Sequence, residues 1–205
     1  MKRFFPSRFF SFALSFLLLS VCVVAQSSPA TSAADVTRTD RYRALLKMLS
    51  RQQYQAAAAE CRALIERYPD FNKPFGKLVL IARETAQLPQ TEAYLQTLVP
   101  ANPRAWYALG LLARERGNHE EAFVLEQKCL EALPEFPSAA IVLAQAAVAL
   151  KAPQRAEAFF QARPQHAVFV FGLGILAREQ RQSQQALEFY DRALQLQPQL
   201  IEALV

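Results

Sequence analysis

Apolar residues recur every three or four positions through most of this chain, in short blocks divided by polar turns. Between positions 106 and 134, Trp106, Leu109, Gly110 and Ala113 fall on one helical face. Gly117-Asn118 then supplies a turn, and Ala122, Cys129 and Leu130 mark a second helix that Pro134 closes. Between positions 170 and 198, Leu173, Gly174 and Ala177 are followed by Ala186, Tyr190, Ala193, Leu194 and Pro198. This spacing predicts amphipathic helices, and the stop signals predict that they pair as hairpins.

The same pattern extends over five units, at 39–71, 72–102, 103–136, 137–166 and 167–200, with the start of a sixth from 201. In the first, Tyr54, Ala57, Cys61, Leu64 and Ile65 form the second helix, and Thr39 or Asp40 is placed to cap the first helix. The second carries Phe75, Leu78 and Ala82, then a return face over 92–99, but it shows no clear small residue on that face. The fourth has Ala140, Leu143, Ala144 and Ala147, then Ala156 and Phe160 before Pro164. An internal echo supports the register. Ala82-Arg83-Glu84, Ala113-Arg114-Glu115 and Ala177-Arg178-Glu179 each end a first helix, and each follows an Ile or Leu.

These residues resemble the tetratricopeptide repeat, whose signature W-x2-L-G-x2-Y…A-x3-F…P has a period of roughly 34 residues. One departure is Glu126, where the family usually has an aromatic. The resemblance implies an all-α fold, a right-handed superhelical solenoid of antiparallel helix pairs spanning 39–205. No single hairpin can bury its apolar face, so neighbours must stack. Small residues at Gly110, Ala122, Gly174 and Ala186 let helices approach, while Trp106, Phe160 and Tyr190 fill the gaps.

The N-terminal segment 1–25 has a different character. Lys2, Arg3 and Arg8 precede an apolar run over 9–24, and Val23-Val24-Ala25 offers small residues before a cut. This reads as a secretory signal peptide. Two rivals remain: an uncleaved anchor, and a lipidated Cys22, whose preceding Val21 breaks the bacterial lipoprotein pattern. All three fates put the repeats outside the cytoplasm, in a bacterial periplasm or at the cell surface. Residues 26–38 are small, polar and unpatterned, as a flexible linker is. Positions 198–205 look like the opening turn of another first helix. They admit a reading of this chain as the front module of a longer exported protein with a catalytic domain beyond Val205.

Charge narrows the partners. The formal net charge is +5, but three of those positive charges sit in segment 1–25, which holds no acid. No basic stripe interleaved with aromatics remains, so a nucleic-acid partner is not expected. A catalytic, metal or cofactor site is not expected either. His119 and His166 lie in turns without a ligand partner at helical spacing, and Gly172-x-Gly174 sits inside a helix pattern rather than after a strand. No small-molecule substrate is implied. Cys61 and Cys129 are two repeats apart. At about 10 Å per packed helix layer they exceed the ~7 Å Cα limit of a disulfide, so both read as small buried residues.

What the resemblance implies instead is a scaffold for a protein or peptide partner. In such arrays the first helices line a concave groove. The family's groove sites fall here on Gly76, Leu80 and Arg83, on Tyr107, Leu111 and Arg114, on Ile141, Gln145 and Val148, and on Phe171, Ile175 and Arg178. An apolar, aromatic groove rimmed by arginine suits a helical or extended peptide. The Lys/Asn clamp by which some relatives hold a peptide carboxylate is missing at Gly76, Leu80, Tyr107 and Leu111. Acidic chaperone tails are therefore not expected to bind.

Overall fold

The computed structural model describes residues 33–201. The expected signal peptide, the first part of the linker, and positions 202–205 of the partial sixth repeat lie outside the described residues. Within them, ten α-helices form five consecutive hairpins. The pairs are α1 (Ala33–Ser50) with α2 (Tyr54–Arg67), α3 (Lys73–Glu84) with α4 (Leu88–Leu98), and α5 (Arg104–Glu115) with α6 (His119–Ala132). They continue with α7 (Pro137–Ala149) and α8 (Pro153–Gln161), then α9 (Ala167–Glu179) and α10 (Ser183–Leu196). A short 3-10 turn, Pro198–Ile201, follows. The expected all-α solenoid of antiparallel helix pairs is what the chain forms.

The start of the array differs from expectation. α1 begins at Ala33, inside the stretch read as linker, so neither Thr39 nor Asp40 is a cap. Asp40 instead accepts a bond from Arg43 Nη1 at 2.7 Å, one turn along the helix. The run from Ala33 to Arg38 contains neither Gly nor Pro. Once a helix is nucleated, extending it through such residues costs little.

One dihedral repeats through all five hairpins. Gln52, Ala86, Gly117, Lys151 and Arg181 have φ values of 57°, 55°, 76°, 56° and 62°, so each inner turn passes through the left-handed region. Five residues beyond each lies a small buried side chain: Ala57, Thr91, Ala122, Ala156 and Ala186. Thr91, 3 % exposed, supplies the small residue that the second hairpin seemed to lack. Its hydroxyl disguised it in a search for Ala or Gly.

Nine residues beyond each turn residue stand Cys61, Leu95, Glu126, Phe160 and Tyr190. Seven residues before it stand Leu45, Val79, Gly110, Ala144 and Gly174. These two series share a register, and their sizes trade off. At Gly110 an added Cβ would lie 2.3 Å from Glu126 Oε1, and at Gly174 it would lie 2.5 Å from the Tyr190 ring. Close packing at fixed volume explains the exchange.

The core runs along the array rather than to a centre. Phe75, Phe123, Phe160 and Phe169 are buried one after another, each worth about 1.5–3 kcal/mol relative to exposure. The caps are local. Asn118 accepts the backbone N–H of Glu121 at 3.2 Å and donates to its carboxylate at 2.9 Å, satisfying one orphan donor of α6. The Asn102 amide donates to the Pro69 carbonyl at 2.9 Å, tying the ends of the first two hairpins together.

Candidate functional site

First helices follow one another along one wall, with α3 against α5, α5 against α7 and α7 against α9. The expected groove residues lie on these helices, but the structure divides them into two sets. Arg83, Tyr107, Arg114 and Gln145 are engaged with neighbouring hairpins, and Leu111 is buried beside them on α5. Tyr107 sets its ring edge-on to Phe136 at 5.0 Å, and its hydroxyl would be 3.6 Å from a Cβ on Gly76. Burial, with the Glu126 carboxyl second, pushes that hydroxyl up to about 12. Leu111 is 8 % exposed. Arg114 Nη1 donates to Gln145 Oε1 at 2.9 Å, and Arg83 Nη1 pairs with Glu115 at 3.6 Å.

The second set comes together. Ile141 on α7 and Phe171, Ile175 and Arg178 on α9 line one cavity of about 480 Å³. Tyr190 and Leu194 of α10 and Leu200 of the final turn complete its wall. A slightly larger hollow, about 590 Å³, is lined by Gln52–Ala56 and Thr85. Its walls are three glutamines, Thr85, Ala56 and the Tyr54 ring at the first inner turn.

The slot's chemistry is simple. Phe171 and Tyr190 meet at 5.7 Å between ring centroids, and aliphatic side chains surround them. Arg178 is the one cation at the rim, and it donates to Glu179 of its own helix at 2.8 Å. That bond is the main reason its guanidinium is held above its ordinary value. Such a surface is chemically suited to apolar side chains and one acceptor. No group of His, Cys, Asp and Glu among the described residues is placed to hold a metal.

Sequence reasoning expected four of the slot's residues on a groove wall and missed Tyr190, Leu194 and Leu200. The first two read as second-helix core. The signal that finds them is the 64-residue step from hairpin three to hairpin five, which maps Glu126, Leu130 and Phe136 onto all three. The histidines and thiols stay outside the slot. His166 Nδ1 faces Glu135 at 3.3 Å. Cys61 and Cys129 are fully buried, with burial pushing the Cys61 thiol up to about 12.

Glu126 is the anomaly of the middle of the array. It is fully buried, and neither carboxyl oxygen has a hydrogen-bond partner among the described residues. Burial holds it well above the ordinary 4.5, with Arg114 opposing. An acid in such surroundings keeps its proton rather than its charge.

No curated protein is similar to this chain. Several solved structures are similar to it at low identity. TTC0263, a thermophilic tetratricopeptide repeat protein of Thermus thermophilus, is 15 % identical over 81 % of this chain and 94 % of its own, with a TM-score of 0.47. The pilF protein of Pseudomonas aeruginosa is 18 % identical over 84 % and 86 %, at 0.46. YrrB, a repeat protein with an unusual peptide-binding site, is 16 % identical over 85 % and 97 %, at 0.37. The sequence profile of the tetratricopeptide repeat matches residues 78–140 and 157–201. Those two stretches make up more than half of the chain, and with the five hairpins they place this protein in the tetratricopeptide repeat family.

Proposed function

We propose that this protein is an exported, non-catalytic scaffold that holds a peptide segment or helix of a protein partner against the wall of its first helices. The repeat fold is one of protein–protein interaction. The observation that carries the site is the meeting of Ile141, Phe171, Ile175 and Arg178 around one apolar slot. Concave, mostly apolar surfaces with few polar groups are where partners dock. Export, to the periplasm or the cell surface, rests on the basic and apolar character of segment 1–25. Among the described residues no helix is long and apolar enough to cross a membrane.

The groove is tested with a displayed peptide library selected on the immobilised full chain. Selected peptides should bind the Phe171→Ala variant at least about tenfold more weakly, as expected when an aromatic contact residue is truncated. Equal binding would overturn the assignment. The intact mass of the protein isolated from its source tests export: a start at Gln26 supports it, and an unprocessed Met1 with no membrane association opposes it.

A further inference from the structure

Glu126 lies in the middle of the array, where hairpin three meets hairpin four. From α6 it faces Gly110 of α5, where an added Cβ would lie 2.3 Å from its Oε1 and 2.9 Å from its Cδ. Residues three and four apart are neighbours on a helix surface. Tyr107 precedes Gly110 by three positions and Arg114 follows it by four. The carboxyl therefore sits between these two side chains, fully buried and with neither oxygen bonded. Of the residues at this register, Cys61, Leu95, Glu126, Phe160 and Tyr190, only Glu126 is a carboxylic acid.

The same two residues of α5 hold α7. At one end Tyr107 meets Phe136 edge-on at 5.0 Å, and its hydroxyl reaches Ser138 in the first turn of α7. At the other end Arg114 Nη1 donates to Gln145 Oε1 at 2.9 Å. The first contact is broad and aromatic, while the second is one bond to a neutral amide. A carboxylate is a stronger acceptor for a guanidinium than an amide is. Beside a protonated Glu126, Arg114 keeps Gln145. Beside an ionised one it has a better partner, one helical turn back along α5.

We propose that Glu126 and Arg114 form a proton-operated latch between hairpins three and four. With Glu126 protonated, Arg114 holds Gln145 and α7 is docked at both ends. When the carboxyl gives its proton to solvent, the guanidinium turns to the carboxylate and Gln145 is released. α7 then pivots about Tyr107 and Phe136. Ile141 and Gln145 lie on α7, so the latch sets the position of one wall of the proposed groove. It stands whether or not a peptide occupies that groove.

The surroundings give the direction. Burial raises Glu126 well above 4.5, with Arg114 opposing. The latched state is therefore the low-pH state, and release comes as pH rises through the folded value. The other titratable groups facing it are Tyr107, pushed up to about 12 by burial, and Cys129 of its own helix, also raised by burial. Arg104, at the start of α5, acts on Cys129. α7 brings Ser138 and Gln145, neither of which titrates. The joint between hairpins two and three is an internal control. There Arg83 makes the matching forward contact to Glu115, and Leu95 stands where Glu126 would compete.

Hydrogen exchange of the full chain, read by mass spectrometry and corrected for the intrinsic pH dependence of amide exchange, tests the latch. As pH is raised from 4.5, opening of α7 should grow at least about tenfold, the weight of one hydrogen bond to a charged donor, while α3 and α5 stay unmoved. Glu126→Gln should keep α7 at its low-pH protection at every pH. Gln145→Ala should give the released rate throughout and erase the pH dependence. Carbon-13 NMR of the Glu126 carboxyl, assigned by its loss in Glu126→Gln, should show the charge appearing in step with the opening. Melting curves check that both variants fold, and Gln145→Ala decides alone if Glu126→Gln does not.

A corrected exchange of α7 that is flat with pH would overturn the latch, as would a carboxyl that stays protonated throughout. Opening that grows equally in α3, α5 and α7 would mean that the buried charge loosens the whole array, and would overturn it too. So would a pH dependence that survives in Gln145→Ala.

Discussion

Hairpins three and five carry nearly the same pattern, yet their second helices have different surroundings. In α6, Ala122, Phe123, Leu125, Glu126, Cys129 and Leu130 are all buried, whereas in α10 only Ala186 and Ala193 are. The two helices have the same length, and most side chains at matching positions are of similar kind, Val124 against Glu188 and Glu126 against Tyr190 being exceptions. What differs is the neighbour. α6 is covered by α7 of the next hairpin, while α10, among the described residues, packs mainly on α9 and the final turn. A repeat therefore owes much of its burial to the unit that follows it, as nearest-neighbour stacking requires.

The comparison is broken most sharply by truncating the position that differs most. Phe123→Ala should cost about 3–5 kcal/mol of unfolding free energy, the range for a buried aromatic. Leu187→Ala should stay within about 0.5 kcal/mol, as exposed sites do. Urea unfolding followed by circular dichroism measures both, and similar losses would mean that α10 is covered in solution.

Overpacking should treat the two hairpins alike, because both small residues are buried. Ala122→Phe and Ala186→Phe should each cost about 1–3 kcal/mol. An unchanged melting temperature for Ala186→Phe would sink the register on which the comparison rests.

The exchange of Glu126 for Tyr190 sharpens it further. Burial raises the folded-state pKa of Glu126 above the ordinary 4.5. The acid therefore contributes fully below that value, and its contribution is lost as pH rises through the folded pKa. The titratable groups around it are Tyr107 and Arg114 on α5 and Cys129 on α6, while α7 brings only uncharged residues. Glu126→Met should stabilise the chain at pH 7 by about 1–3 kcal/mol by removing an unpartnered buried polar group. It should also flatten the decline of stability as pH rises above 4.5. A wild-type pH profile that matches the variant's would refute the neutral acid.

The smallest effect lies in the turns. Gly117→Ala should lose about 1–2 kcal/mol, because a Cβ is strained in the left-handed region. Arg181→Gly should gain about 0.5–1 kcal/mol, since relief of that strain exceeds the entropic cost of glycine. Thermal melts of the two variants should move in opposite directions.

Much of the architecture was legible because apolar spacing, prolines and the Ala-Arg-Glu echo all report local helix geometry. The five hairpins and their order follow from those signals. Thr91 and the helical start at Ala33 escaped because each depends on a neighbour or on helix propagation rather than on residue type. The groove was legible only as a set of positions. Their surroundings are decided between hairpins: Arg114 finds Gln145 and Tyr107 finds Phe136, whereas Phe171 and Arg178 border the slot. Glu126 was visible as a departure from the family pattern, but its protonation state follows from a three-dimensional enclosure.

The left-handed turn residues have one more consequence, for how this chain tolerates changes in length. Successive turn residues are 34, 31, 34 and 30 positions apart, yet the paired positions on either side keep constant offsets from each turn. All the slack in unit length therefore lies in the joints between hairpins, such as 69–72 and 99–103. A residue inserted within a hairpin would swing every later side chain of that helix by about 100° and dismantle the pair. The same residue inserted at a joint would only lengthen a loop. The molecule measures each unit outward from its bend, so the joints are where segments can be added or removed without disturbing what the hairpins hold.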